Sequence, residues 1–346
     1  MAGIERVCIS TNSVCNLDCK YCYFFLQPDA LPGPDALTTD EIGTILRRCH
    51  EYGAHPDADK PIKINFVGSG EPLLCWPAIR DAIRGLNDAQ PDHRLRFYTV
   101  TNGLLLRTQT VREMKALGLS PSVSLDGPAS LHDATRRKHN GRGSHADVMR
   151  GIAALKEEGV AVAINTTLTR EVVGNLEAYF DFIEEQGFDK LIFGRLVDVP
   201  DEFAVSTAEF YRALRRIAEI KRQRRLDHVE IGNLEAYDRA LAGKPDRVCT
   251  MFGSTCGSGF HNIIYMQREV YPCGRMFGQP EWLLGRFDEP VENFPRRMWE
   301  KVGDRGCGSG CANGAGPAGP DCLIEREAPG YEARHREGFL GWYGQR

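Results

Sequence analysis

The chain has 346 residues, 42% hydrophobic and 26% charged, an ordinary globular composition that can bury a sizeable core. Its net charge of −4 carries no polyelectrolyte signal, so nucleic acid is not an implied partner. No apolar run reaches the roughly 18 residues of a membrane span, and the first residues lack the apolar stretch of a secretory signal. Twelve cysteines in a chain of this length point to metal binding rather than to the disulfide framework of a small secreted domain, and to a cytoplasmic address.

Residues 4–9 read as a strand and lead directly into Cys15-Asn16-Leu17-Asp18-Cys19-Lys20-Tyr21-Cys22. Protein iron–sulfur clusters usually take four thiolates, so a triplet without a close fourth partner leaves one iron open. An open metal position turns a structural site into a reactive one, by analogy with catalytic zinc. The plain alternatives are a zinc knuckle, or three reduced cysteines in a tight turn.

Further strands are expected at 62–67, 95–100, 122–125, 160–165 and 191–196. Amphipathic helices are expected near 39–52, 76–87, 110–117, 145–158 and 175–186, most ending close to a glycine. This alternation is the pattern of a parallel sheet wrapped by helices. In barrels of that kind the loops after the strands build the active site. Strand two is followed by Gly68-Ser69-Gly70-Glu71-Pro72, strand three by Thr101-Asn102-Gly103, and strand four by Ser124-Leu125-Asp126-Gly127-Pro128 with His132-Asp133-Ala134-Thr135-Arg136 beyond. Taken singly, each is also ordinary turn text. A closed eight-stranded barrel would need two more units, and none is legible before Cys249. A basic helix within 206–225 is expected to link the barrel, residues 1–235, to an appendage, residues 236–346.

In the appendage helical periodicity fades and six cysteines appear: Cys249, Cys256, Cys273, Cys307, Cys311 and Cys322. A zinc ribbon is the structural alternative there. Cys8, Cys49 and Cys75 lie in or near strand and helix patterns and are expected to pack as small buried residues.

The triplet, with Tyr21 before its last cysteine, resembles the signature of the radical S-adenosylmethionine enzymes. The stretch at 68–72 resembles that family's Gly-Gly-Glu-Pro motif, with Ser69 in place of the first glycine. The block from Ser124 to Arg136 resembles the text of its peptide- and protein-modifying members. The resemblance implies an α/β fold: a partial (β/α)6 TIM-type barrel followed by a small Cys-rich SPASM or twitch domain. It implies that Cys15, Cys19 and Cys22 ligate a 4Fe-4S cluster whose open iron is chelated by S-adenosylmethionine. Tyr21 would then lie near the adenine. Ser69, Gly70 and Glu71 would stand at the methionine amino group, with Asn102 among the cofactor-binding residues. Ser124 and Arg136 would hold the carboxylate, a guanidinium being well suited to that oriented contact. Asp126 and Asp133 are expected to brace loops, and no catalytic base is named.

Cys256-Gly257-Ser258-Gly259 and Val270-Tyr271-Pro272-Cys273 resemble the opening of a SPASM or twitch module. Arg268 stands where that module usually has a glycine, so its hairpin turn is expected to be built differently. Six cysteines cannot fully ligate two four-iron clusters. One auxiliary cluster is expected, from Cys249, Cys256, Cys273 and one of Cys307, Cys311 and Cys322, with a second left open.

The implied activity is oxidative modification of a ribosomally made peptide, foremost a cyclophane-type cross-link between side chains. Alternatives are anaerobic sulfatase maturation, twitch-type dehydrogenation of a sugar or aminocyclitol, and a non-enzymatic electron carrier or scaffold. Implied partners are a small precursor peptide and an external electron donor such as flavodoxin or ferredoxin. Because 14 residues precede Cys15, the peptide is expected to bind the barrel mouth, the appendage or a separate partner.

Overall fold

A computed structural model describes residues 3–26, 33, 35–53, 60–196, 199–244, 247–248, 255–302 and 333–345. The six expected strands form in chain order: β1 Arg6–Ser10, β2 Ile62–Phe66, β3 Leu95–Thr101, β4 Leu119–Ser124, β5 Ala163–Leu168 and β6 Lys190–Arg195. Each pairs in parallel with the next. The sheet also gains a short β7, Glu230–Ile231, beside β6, and β8, Asn262–Met266, parallel to β1. Antiparallel β9, Glu269–Tyr271, and β10, Gly285–Arg286, complete a 10-stranded sheet in the order β10-β9-β8-β1-β2-β3-β4-β5-β6-β7. The sheet therefore runs without a break from the first half of the chain into the Cys-rich region.

Alternation along the strands sorts their side chains onto two faces. Ile62, Ile64 and Phe66 of β2, with Leu95 and Phe97 of β3, are buried in the main core. The main helices are α1 Thr39–Gly53, α2 Trp76–Ala89, α3 Thr108–Ala116, α4 Ala129–Thr135, α5 His145–Glu157, α6 Leu176–Gln186, α7 Thr207–Gln223, α8 Gly232–Leu241, α9 Asn293–Val302 and α10 Ala333–Tyr343. Their apolar stripes, such as Ile42, Ile45 and Leu46 of α1 and Ile79 and Ile83 of α2, join the same core. The opposite strand face carries Lys63, Asn65, Arg96 and Tyr98, of which Lys63, Arg96 and Tyr98 are exposed. The inner side of the barrel is thus polar and open around β2 and β3. Among the described residues no helix is long and apolar enough to cross a membrane.

Two strands begin three residues away from expectation, the others within two. β4 begins at Leu119 rather than 122, although Pro121 lacks an amide donor. The ladder from β3 covers Leu119 to Val123, whereas the ladder to β5 starts only at Ser122. β5 starts at Ala163 and continues through Thr166, Thr167 and Leu168, because the Val160 amide is spent closing α5 on the Leu155 carbonyl. The β8–β9 hairpin turns on Gln267 and Arg268. Gln267, not Arg268, takes the left-handed conformation (φ 55°), and Arg268 reaches Glu41 of α1 at 2.6 and 2.9 Å.

Candidate active site

Ser10 closes β1, and Asn12 organises the loop beyond it. The Asn12 side chain accepts from the Val14 amide at 2.8 Å and donates to the Glu71 carbonyl at 3.0 Å and the Cys75 sulfur at 3.3 Å. Ser69 fits this corner through its hydroxyl, 3.0 Å from Ser10 Oγ and 3.1 Å from the Asn12 carbonyl it donates to, while its amide donates to Ser10 Oγ. On either side only glycine is accommodated. A β-carbon at Gly68 would lie 2.2 Å from Ser10 Oγ, and one at Gly70 would lie 2.1 Å from Asn12 Oδ1. The loop after β2 is thereby pressed against the cysteine loop after β1, and the Glu71 amide donates to the Val14 carbonyl at 2.9 Å.

The Glu71 side chain is buried and its oxygens accept from Thr101 Oγ1 (2.6 Å), the Leu73 amide (3.0 Å) and the Asn102 amide (2.8 Å). Burial pushes its carboxyl above the usual carboxylate range, against these three donors. Asn102 Nδ2 in turn reaches Asn16 Oδ1 at 2.6 Å and Cys15 Sγ at 3.7 Å. The loops after β1, β2 and β3 therefore interlock around the first cysteine.

The loop after β4 joins them through a two-stranded ribbon in which Cys19 pairs with Arg136 and Asp18 with Arg137. Asp126, fully buried, accepts from the Tyr21 hydroxyl (2.5 Å), Arg136 Nε (2.8 Å) and the Thr167 amide (2.8 Å). The Arg136 guanidinium also lies 5.2 Å from the centre of the Tyr21 ring. Asp133 accepts from the Ser144 and His145 amides. Both aspartates thus brace loops. Ser124 ends β4, half-buried, in register with Asn165.

Sequence reasoning singled out neither Ser10 and Asn12 nor the buried pair His132 and Ser144. His132 Nδ1 accepts from the Asp126 amide (3.2 Å), its Nε2 meets Ser144 Oγ at 2.9 Å, and Ser144 Oγ donates to the Arg136 carbonyl (2.9 Å). The tract Ser10-Thr11-Asn12-Ser13 reads as a polar turn, and its one signal is its position between a strand and the triplet. His132 was visible inside the block that ends at Arg136.

Cys15, Cys19 and Cys22 are half-buried, and burial pushes all three thiols up, Cys19 to about 12, with Cys15 and Cys22 adding to the rise at Cys19. Thiols this reluctant to ionise alone become ligands when a metal displaces the proton. Among the described residues no three His, Cys, Asp or Glu side chains gather as they would around one ion.

In the second cysteine field, Cys256 is buried with its thiol 3.4 Å from Ser258 Oγ, and Cys273 is half-buried beyond β9. Cys249, Cys307, Cys311 and Cys322 lie outside the described residues. The aromatic turn Tyr23–Leu26, directly after Cys22, rests on this field, since a β-carbon at Gly274 would lie 3.2 Å from the Tyr23 hydroxyl and 3.6 Å from the Phe24 ring. Cys49 is buried, whereas Cys8 and Cys75 are half-buried, Cys75 held by Asn12.

A parallel half-barrel whose strand-end loops converge on three thiols defines an α/β enzyme built around a metal cofactor. The Radical SAM superfamily model matches residues 9–183, and the chain belongs to that superfamily, whose members use a 4Fe-4S cluster and S-adenosylmethionine. The AdoMet-dependent heme synthase of Nitratidesulfovibrio vulgaris is 28% identical over 279 residues, spanning 75% of this chain and 71% of that protein. The cysteine-type anaerobic sulfatase-maturating enzyme of Clostridium novyi is 22% identical over 300 residues, spanning 84% and 78%. Native anSMEcpe with bound AdoMet and Cp18Cys peptide superposes with a TM-score of 0.78 at 18% identity, covering 98% of this chain and 96% of that one. Streptococcus suis SuiB bound to precursor peptide SuiA gives 0.69 at 16% identity, covering 96% and 75%. At these identities the likeness to the solved structures is one of fold.

Proposed function

We propose that this enzyme oxidises side chains of a ribosomally made peptide and joins two of them in a cyclophane-type cross-link. In this reading Cys15, Cys19 and Cys22 hold the 4Fe-4S cluster. The cluster with S-adenosylmethionine, when bound, supplies an electron and a hydrogen-abstracting radical. The chain's own residues bind and orient. Asn102 stands at Cys15, and the loop from Ser69 to Glu71 offers polar backbone beside it. Ser124 and the Arg136 guanidinium would hold the carboxylate of the cofactor, and Tyr21 would serve its adenine. Asp126 fixes Arg136 and Tyr21 together, so that neither must reorganise when the cofactor binds.

Residues 1–235 form the catalytic barrel in this proposal. Residues 236–346 carry an auxiliary cluster on Cys249, Cys256, Cys273 and one of Cys307, Cys311 and Cys322. Held by those cysteines, such a cluster would supply a one-electron acceptor. The contact of Tyr23 and Phe24 with Gly274, next to Cys273, supports such a neighbourhood.

The observation that carries a peptide substrate is a fold shared over 98% of the chain with a peptide-bound enzyme. Anaerobic sulfatase maturation is the second reading, favoured by the 84% span of the Clostridium novyi relative. Coexpression with a short peptide encoded beside the gene, followed by mass spectrometry, tests both. Loss of two hydrogens with fragmentation blocked between two residues is expected. Conversion of a single Cys or Ser to an aldehyde would favour the second reading. Reconstituted protein that makes no 5′-deoxyadenosine under dithionite would overturn both.

A further inference from the structure

At the end of the sheet away from the cysteine loop, the inner face carries a row of cations. Arg6 of β1 is in register with Lys63 of β2, and Lys63 with Arg96 of β3. Along these strands Val7, Ile62, Ile64, Leu95 and Phe97 turn to the core beneath the helices. The alternation therefore leaves Arg6, Lys63 and Arg96 together on the other face. Strands lie about 4.8 Å apart, so the three positions span roughly 10 Å in a line. One row nearer the cysteine loop, Cys8, Asn65 and Tyr98 follow in the same register.

Like charges held side by side across strands destabilise a sheet. Among the described residues nothing relieves the two arginines, neither of which forms an ion pair. Arg6 Nε is buried without a hydrogen-bond partner, and the Arg96 side chain reaches only the Leu95 carbonyl, at 3.4 Å. The nearby carboxylate of Glu5 is engaged by Lys60 at 3.4 Å. Lys63 and Arg96 are exposed and Arg6 is half-buried, so the row opens to solvent. The chain as a whole carries −4, and a positive row on such a protein draws acidic groups to one place.

We propose that Arg6, Lys63 and Arg96 form a subsite on the inner face of the barrel for an acidic segment of the substrate peptide. The proposal deepens the reading of a peptide substrate given above and rests on it. A line of cations roughly 10 Å long exceeds the reach of one small anion and suits two or more carboxylates carried on one chain. Guanidinium groups take carboxylates through paired, oriented hydrogen bonds, which fixes direction as well as position. From Arg6 to Ser10, where β1 ends below the cysteine loop, four residues rise about 13 Å. An extended peptide covers that length in about four residues. The acidic segment therefore lies about four residues from the side chains that are joined, and sets which of them reach the mouth.

The test measures binding of rhodamine-labelled hexaglutamate to anaerobically reconstituted full-length protein by fluorescence anisotropy at low ionic strength, with labelled hexaglutamine as the neutral control. Wild type is expected to bind the acidic peptide and not the neutral one, and to release it as salt is added. Lys63→Glu/Arg96→Glu should weaken that binding at least tenfold, and Arg96→Gln, which only deletes a charge, about threefold; the single variant carries the test if the double one does not fold. In coexpression with the peptide encoded beside the gene, the double variant should leave most of it unprocessed. Lysines in place of that peptide's acidic residues should restore processing by the double variant, which a merely structural defect would not allow. Hexaglutamate that binds wild type and both variants alike, or that equimolar inorganic phosphate displaces, overturns the proposal. Wild-type protein that cross-links its peptide but ignores hexaglutamate overturns this subsite alone. Wild-type protein that binds hexaglutamate yet alters no coexpressed peptide overturns the peptide reading and the occupant named here with it.

Discussion

Replacing Asp126 by Asn removes the one anion that Tyr21, Arg136 and the Thr167 amide share. The Asp126–Arg136 pair is buried, 1% and 11% exposed at the two side chains, so breaking it strands a charge and is expected to cost about 3 kcal/mol or more. Urea unfolding would measure that loss, and iron content after reconstitution should fall with it. His132 offers a pH signature. Burial holds its imidazole down to about 4, while an unfolded histidine titrates near 6.5. Below that value the unfolded chain binds the proton that the folded chain refuses. The stability tied to this group is therefore complete above about pH 6.5 and lost as pH falls toward 4, at up to about 1.4 kcal/mol per pH unit. His132→Gln should flatten that part of the stability–pH curve relative to wild type. At Ser69, replacement by glycine removes the hydroxyl bonded to Ser10 and Asn12 and is expected to cost about 1 kcal/mol, read from the urea midpoint.

Among the elements, the β8–β9 hairpin is fastened to α1 by Arg268 and Glu41. Both side chains are partly exposed, at 32% and 20%, so Arg268→Ala should cost no more than about 1 kcal/mol despite the paired contacts. A drop several times larger would mean that the hairpin itself comes loose. These elements also mark how far the sequence can be read. Alternating strand and helix patterns exposed β1 to β6 and α1, α2, α3, α5, α6 and α7 to within a few residues, since both periods are local properties. β8 escaped notice because Asn262-Ile263-Ile264-Tyr265-Met266 is short and its partner is β1, a pairing no local pattern encodes. The triplet was legible because its chemistry is carried by spacing. The corner of Ser10, Asn12 and Ser69 was not, because small polar residues spell turns everywhere and acquire a role only when two distant loops meet.

For the whole molecule the pairing of β1 with β8 matters most. β1 sits between β2 and β8, and the cysteine loop hangs from its end. A chain cut after residue 244 should leave β1 with a bare edge and aggregate or fail to hold iron, although every residue of the triplet is present. Size-exclusion chromatography beside iron analysis would check it, and a monomeric, iron-loaded fragment would show that β8 is dispensable. The same adjacency reaches back to the moment of synthesis. More than 250 residues separate Ser10 from Met266, its neighbour across the sheet. At roughly 5–20 residues per second a ribosome takes on the order of ten to fifty seconds to deliver that neighbour. Throughout that interval the nascent strand that leads into the three cysteines waits half-clothed, one of its two edges without the neighbour that will cover it.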